Sequence, residues 1–174
     1  VREAIAYAGS KDVLIVNAAG NEGADIDTVN VFPNDAFGTG PEVSDTFLAV
    51  GSITSSYGSK LVSGFSNYGA INVDVFAPGS AVYSTTPENE YDSKSGTSMA
   101  APSAAGVAAL IRSYYPKLSA SEVKQIMMES GLKINREVVI GGDASKVGSF
   151  TSMSRSGRIV NAYNALVMAA QKSK

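Results

Sequence analysis

Cysteine and histidine are both absent from the 174 residues of this chain. Without cysteine there is no disulfide and no thiolate–metal site, and without histidine the usual zinc frameworks are excluded as well. The same gap removes the commonest general base, so a nucleophile in this chain must find its base elsewhere or lack one. Charge is sparse: 14 Lys and Arg stand against 16 Asp and Glu, a net charge of -2, which leaves no basic footprint for nucleic acid. No apolar run reaches the ~18 residues of a membrane-spanning helix, so neither nucleic acid nor a membrane is an expected partner. The first residues carry no signal-peptide pattern. They read instead as the interior of an amphipathic helix, Val1-Arg2-Glu3-Ala4-Ile5, as if cut from something longer, so the missing pattern says nothing about export.

What is present suits one folded domain: 44% hydrophobic and 17% charged residues, with no internal repeat. Ala4, Ile5 and Ala8 have helical spacing up to Gly9-Ser10. Val13-Leu14-Ile15-Val16 is continuously apolar and predicts a strand buried on both faces of a parallel sheet. It runs into Asn17-Ala18-Ala19-Gly20-Asn21-Glu22-Gly23, small residues and an amide at the carboxyl edge, where open α/β sheets place ligands. Residues 24–44 show no sustained period and predict a long surface excursion. Phe47-Leu48-Ala49-Val50 and Val73-Asp74-Val75-Phe76-Ala77 predict two more strands, with turn material at Ser63 to Gly69 between them. Ala81 to Thr86 and Glu90 to Ser93 predict a hairpin around Pro87-Glu88-Asn89.

From Met99 to Ile111 the residues are small and apolar around the whole axis apart from Ser103, which predicts a central, buried helix. Ser119-Ala120-Ser121-Glu122 has capping-box spacing, with Val123, Ile126 and Met127 on one face and Gly131 as a stop. Beyond Lys133 a short strand is expected at Val138-Val139-Ile140, and Ile159, Tyr163, Leu166, Val167 and Ala170 mark a last helix. The order of elements predicts an α/β domain with a mostly parallel sheet flanked by helices.

The residues with chemistry cluster at Ser95-Gly96-Thr97-Ser98-Met99-Ala100-Ala101-Pro102. Gly96 permits a tight turn, and Pro102 is expected in the first helical turn because deeper it interrupts the backbone ladder. Ser98 then lies at a helix N-terminus, where free N–H groups favour a developing oxyanion. Physical features alone favour a plainer role, since Thr97 or Ser98 could simply cap the helix.

The segment Ser95 to Ala109 resembles the active-serine motif of the subtilisin-like serine proteases. Val13 to Gly23, Phe65-Ser66-Asn67-Tyr68-Gly69, Phe76-Ala77-Pro78-Gly79 and Gly157-Arg158-Ile159-Val160-Asn161 match the same family in the expected order. The resemblance implies a partial subtilisin-like fold whose central helix starts near Ser98, with residues 1–174 forming the C-terminal part of a catalytic domain. It implies that Ser98 is the nucleophile, that Asn21 donates to the oxyanion, and that Ala18, Ala19 and Gly20 wall the pocket for the side chain before the scissile bond. The family's aspartate and histidine would precede Val1, so the implied activity is a serine endopeptidase in the full-length parent and an inert isolated chain. The alternative is a non-catalytic binding or structural module on a degenerate scaffold of this family. A third arrangement pairs Ser98 with Lys94.

The implied partners are a polypeptide substrate and the missing N-terminal half, with self-association of the isolated chain through uncovered apolar surface. No cofactor is expected. Asp74 falls where some relatives have a weak cation site, but an exposed strand-end aspartate is the default and no metal is assigned. Ser103 stands where the family usually has a histidine that is not the catalytic base. By family habit the parent is secreted or belongs to a bacterial cell envelope.

Overall fold

The computed structural model describes residues 1–173. Helix α1 (Arg2–Ser10) buries Ile5 and turns through Lys11 and Asp12 into β1 (Ile15–Ala18). After the excursion come β2 (Phe47–Ile53) and β3 (Val75–Pro78), then an antiparallel hairpin of β4 (Val82–Thr86) and β5 (Glu90–Lys94). Helices α2 (Thr97–Tyr114) and α3 (Ala120–Ser130) follow. The remainder holds β6 (Leu132–Lys133), a second hairpin of β7 (Glu137–Ile140) and β8 (Asp143–Ser149), the short β9 (Arg158–Ile159), and α4 (Ala162–Lys172).

The main sheet has the order β1-β2-β3-β9-β6, parallel from β1 to β9, with β6 alone antiparallel. Leu48, Val50, Val75 and Ala77 project from one face onto the alanines of α2 and onto Val123, Ile126 and Met127 of α3. On the opposite face Phe76 meets Phe150 at a ring separation of 5.3 Å. Phe47 and Ala49 there pack on Ile5 of α1. Gly51 is required beneath Phe76, because a Cβ at that position would stand 2.4 Å from the ring. This is the expected α/β architecture, and β2 is buried along its whole length as its apolar run predicts.

Several elements differ from the sequence expectation, each for a physical reason. Strand β1 is only half-buried, and Val13 stays 47% exposed ahead of it, because β1 is the edge of the sheet among the described residues. Helix α2 buries one face only: Ala100, Ala101, Ala104, Ala108 and Ile111 point to the sheet, while Pro102, Gly106, Ala109 and Leu110 remain exposed. Its apolar far side therefore has no cover among the described residues. Pro102 is the sixth residue of α2 and not in the first turn, so the Ser98 carbonyl loses its usual i+4 donor. That carbonyl lies on the exposed side of the helix, where water can satisfy it.

Strand β8 was not foreseen because Asp143-Ala144-Ser145-Lys146-Val147-Gly148-Ser149 is polar and almost wholly exposed, with only β7 as partner. Ile159 belongs to β9, and α4 docks through Ala165 and Ala169, leaving Tyr163 and Val167 exposed. Small residues let α4 sit close against α2 and α3, with Leu166 and Met168 packed half-buried beside them. The capping box at Ser119 and Glu122 forms as expected. Gly131 ends α3 in an extended conformation with no left-handed turn.

Candidate active site

The carboxyl end of β1 and the amino end of α2 meet above the sheet. Gly20 makes the turn after β1 at φ 104, and a Cβ there would strike the Asn67 amide nitrogen at 2.3 Å. Buried Asn67 holds the loop closed: its Nδ2 donates to the Ala19 carbonyl and to Glu22, and its Oδ1 accepts from the Glu22 and Ala24 N–H groups. The next residue is Asn21, whose orientation is fixed from α2. Its Oδ1 accepts from the Thr97 N–H at 2.8 Å and from the Thr97 hydroxyl at 2.9 Å. The same hydroxyl oxygen accepts from the Gly20 N–H at 3.1 Å. With its oxygen so engaged, Asn21 turns its amide N–H groups the other way, toward Gly96.

Ser98 is the second residue of α2 and is exposed. Neither Thr97 nor Ser98 caps the helix, since the N-cap position is Gly96 and no side chain bonds there. A first-turn N–H has no intrahelical carbonyl to reach, so the Ser98 N–H is an available donor, and its nitrogen and the Asn21 amide nitrogen stand 3.7 and 3.6 Å from the place where a Cβ of Gly96 would lie. Among the described residues no side chain hydrogen-bonds the Ser98 hydroxyl. Lys94 does not reach it: its ammonium donates to Asp92 at 2.5 Å, and this contact holds the Asp92 carboxyl below its usual range. A cleft of about 380 Å³ opens next to Ser98, between Met99, Pro102 and Ser103 on α2 and the inner face of the β4–β5 hairpin.

Of the three residues assigned to the substrate pocket, Ala18 and Gly20 are half-buried and flank the turn. Ala19 is buried and lines a separate cavity of about 30 Å³ under the excursion. Sequence reasoning missed Thr97 and Asn67 as the side chains that orient Asn21 and its loop. For Thr97 the available signal was its place just before the serine, and for Asn67 only the turn composition.

Asp74 is not the exposed strand-end residue expected from its position; it is 3% exposed. The Lys124 ammonium lies 3.4 Å from one of its carboxylate oxygens and the Arg155 guanidinium 3.7 Å, while the other oxygen accepts from the Ala49 N–H. Burial pushes the Asp74 carboxyl up, against the pull of Lys124. Two protein cations already stand against the Asp74 carboxylate, so it does not fit a metal.

A family model, the subtilase family of S8 peptidases, matches residues 1–157. The chain belongs to the subtilase family. It is 38% identical to subtilisin DY of Bacillus licheniformis over 141 residues, which is 81% of this chain and 47% of that protein. It is 34% identical to the major intracellular serine protease of Bacillus subtilis, over 82% of this chain and 43% of that one. Among solved structures, that of the subtilase cytotoxin SubAB assembly superposes with a TM-score of 0.75 at 26% identity, over 98% of this chain and 53% of that one. The subtilase chain thus spans about half the length of these relatives. Among the described residues no helix is long and apolar enough to cross a membrane.

Proposed function

We propose that residues 1–174 form the C-terminal part of the catalytic domain of a subtilisin-like serine endopeptidase acting on polypeptides. Ser98 is the nucleophile, and Asn21 with the Ser98 N–H makes the oxyanion hole. The observation that carries this reading is the double hydrogen bond from Thr97 to the Asn21 oxygen, which presents the amide donors next to a serine at a helix N-terminus. In the complete protein the Ser98 oxygen attacks the peptide carbonyl while a histidine from outside this chain takes its proton. The carbonyl oxygen becomes an anion held by the two donors. On collapse the histidine returns the proton to the leaving amine, and water releases the acyl group by the reverse sequence.

Ala18 and Gly20 are the walls we assign to the residue before the scissile bond, with Ala19 behind them. The remaining half of the catalytic domain is the partner, and the exposed far side of α2 and the open edge of β1 are where we seat it. We place the complete protein outside the cell or in the envelope, although an intracellular relative shows that family membership leaves the compartment open. The test is proteolysis of an unfolded polypeptide by the complete protein. Activity abolished by Ser98→Ala is expected, and a parent without activity, or with activity indifferent to that change, overturns the reading in favour of a non-catalytic module.

A further inference from the structure

Five ionisable side chains from four separate parts of the chain are gathered at the amino end of β3. Asp35 and Glu42 come from the excursion, Asp74 from the position just before β3, Lys124 from α3 and Arg155 from the turn before β9. Lys124 lies 3.5 Å from Glu42 and 3.4 Å from Asp74, and Arg155 pairs with both of the same carboxylates. Asp35 has neither cation as a direct partner. It is 9% exposed, its Oδ2 has no hydrogen-bond partner, and it borders the cavity of about 30 Å³ that separates the excursion from β1 and β2. From α1, Arg2 faces the same segment, donating to Asn34 and to the Ala36 carbonyl on either side of Asp35.

Among the described residues Arg2 forms no ion pair with these carboxylates, and Lys124 and Arg155 are taken by Glu42 and Asp74, so Asp35 is the buried carboxyl without a directly paired cation. The geometry points to a proton-operated clamp: protonation of Asp35 removes its unpaired charge and closes residues 30–38 onto the sheet, and ionisation loosens them. No metal takes part, because Lys124 and Arg155 are the counter-cations and only the third carboxylate is left for a proton. Burial first, and the nearby Glu42 carboxylate second, push Asp35 up to about 6, so the clamp works across mildly acidic pH. The cavity it closes is shared with Ala19, one residue before the turn that carries Gly20 and Asn21. The state of the clamp thus reaches the segment that presents the oxyanion donor. The clamp does not depend on the reading of Ser98 as a nucleophile.

Hydrogen exchange of residues 26–38 in the full chain, corrected for intrinsic rates, tests this at pH 5.0 and 7.5. Protection is expected to be several-fold higher at the lower pH, and in Asp35→Asn, which keeps the neutral shape, to be high and equal at both. Added calcium is expected to leave the profile unchanged. A pH dependence that survives in Asp35→Asn, or a rise in protection with calcium at pH 7.5, overturns the clamp. Carbon-13 titration of the wild-type Asp35 carboxyl is a second reading that needs no variant: a midpoint near 6 supports it and one near 4 overturns it.

Discussion

Asn21 is useful to an oxyanion only if its amide, and not its oxygen, faces the serine, and Thr97 decides which. One donor of this kind is worth about 10²- to 10³-fold in rate, a figure that itself comes from a subtilisin. In the complete protein Asn21→Ala should lower kcat by that factor with KM little changed. Thr97→Val keeps the packing volume and the N–H bond to the Asn21 oxygen but removes the hydroxyl bond, so the amide is held less firmly; a fall in kcat of about tenfold is expected from steady-state kinetics. An unchanged kcat in Thr97→Val would mean the Thr97 N–H orients the amide without help from the hydroxyl. Asp35 gives the pH dependence its sign. Its carboxyl is raised in the folded chain to about 6, so its contribution to stability is fully present below about pH 4 and is lost as pH rises through 6. At pH 8, Asp35→Asn should therefore be more stable than wild type by on the order of 2 kcal/mol in denaturant titration, with the gap closing by pH 4.

Helix α3 is the element the sequence describes most completely: the Ser119 hydroxyl accepts from the Glu122 N–H, and the Glu122 carboxylate accepts from the Ser119 N–H. Ser119→Ala should cost about 1 kcal/mol, read as a shift of the urea midpoint, with the slope unchanged. Helix α2 was legible in composition but not in exposure. An all-apolar surface says that something covers the helix, and cannot say whether the cover lies within the same chain. Strand β1 is the same case, since Val13 to Val16 carries the pattern of a buried strand and yet stands at an open edge. Ser98 and Asn21 could be singled out from motif wording. Their positioning by Thr97 and Asn67, and the ion cluster around Asp74, could not, because these contacts join residues 43 to 113 positions apart with no periodic signal. Polar β8 failed for the opposite reason, as its pairing with β7 rests on backbone bonds that leave no hydrophobic trace.

At the scale of the molecule, the chain presents apolar surface that has no cover among the described residues. Val13, Leu14 and Val16 of the β1 edge and Ala105, Ala109 and Arg112 of α2 frame an open groove. Leu110 also stands exposed, on the other flank of α2. Sedimentation of the isolated chain should show concentration-dependent self-association, reduced in Val13→Lys, which places a charge on the free edge. The central claim is that this chain holds the nucleophile and the oxyanion donors but not the base. Fluorophosphonate labelling of Ser98 tests it most directly. The account predicts labelling in the complete protein and none in the isolated chain, and equal labelling in both would contradict it.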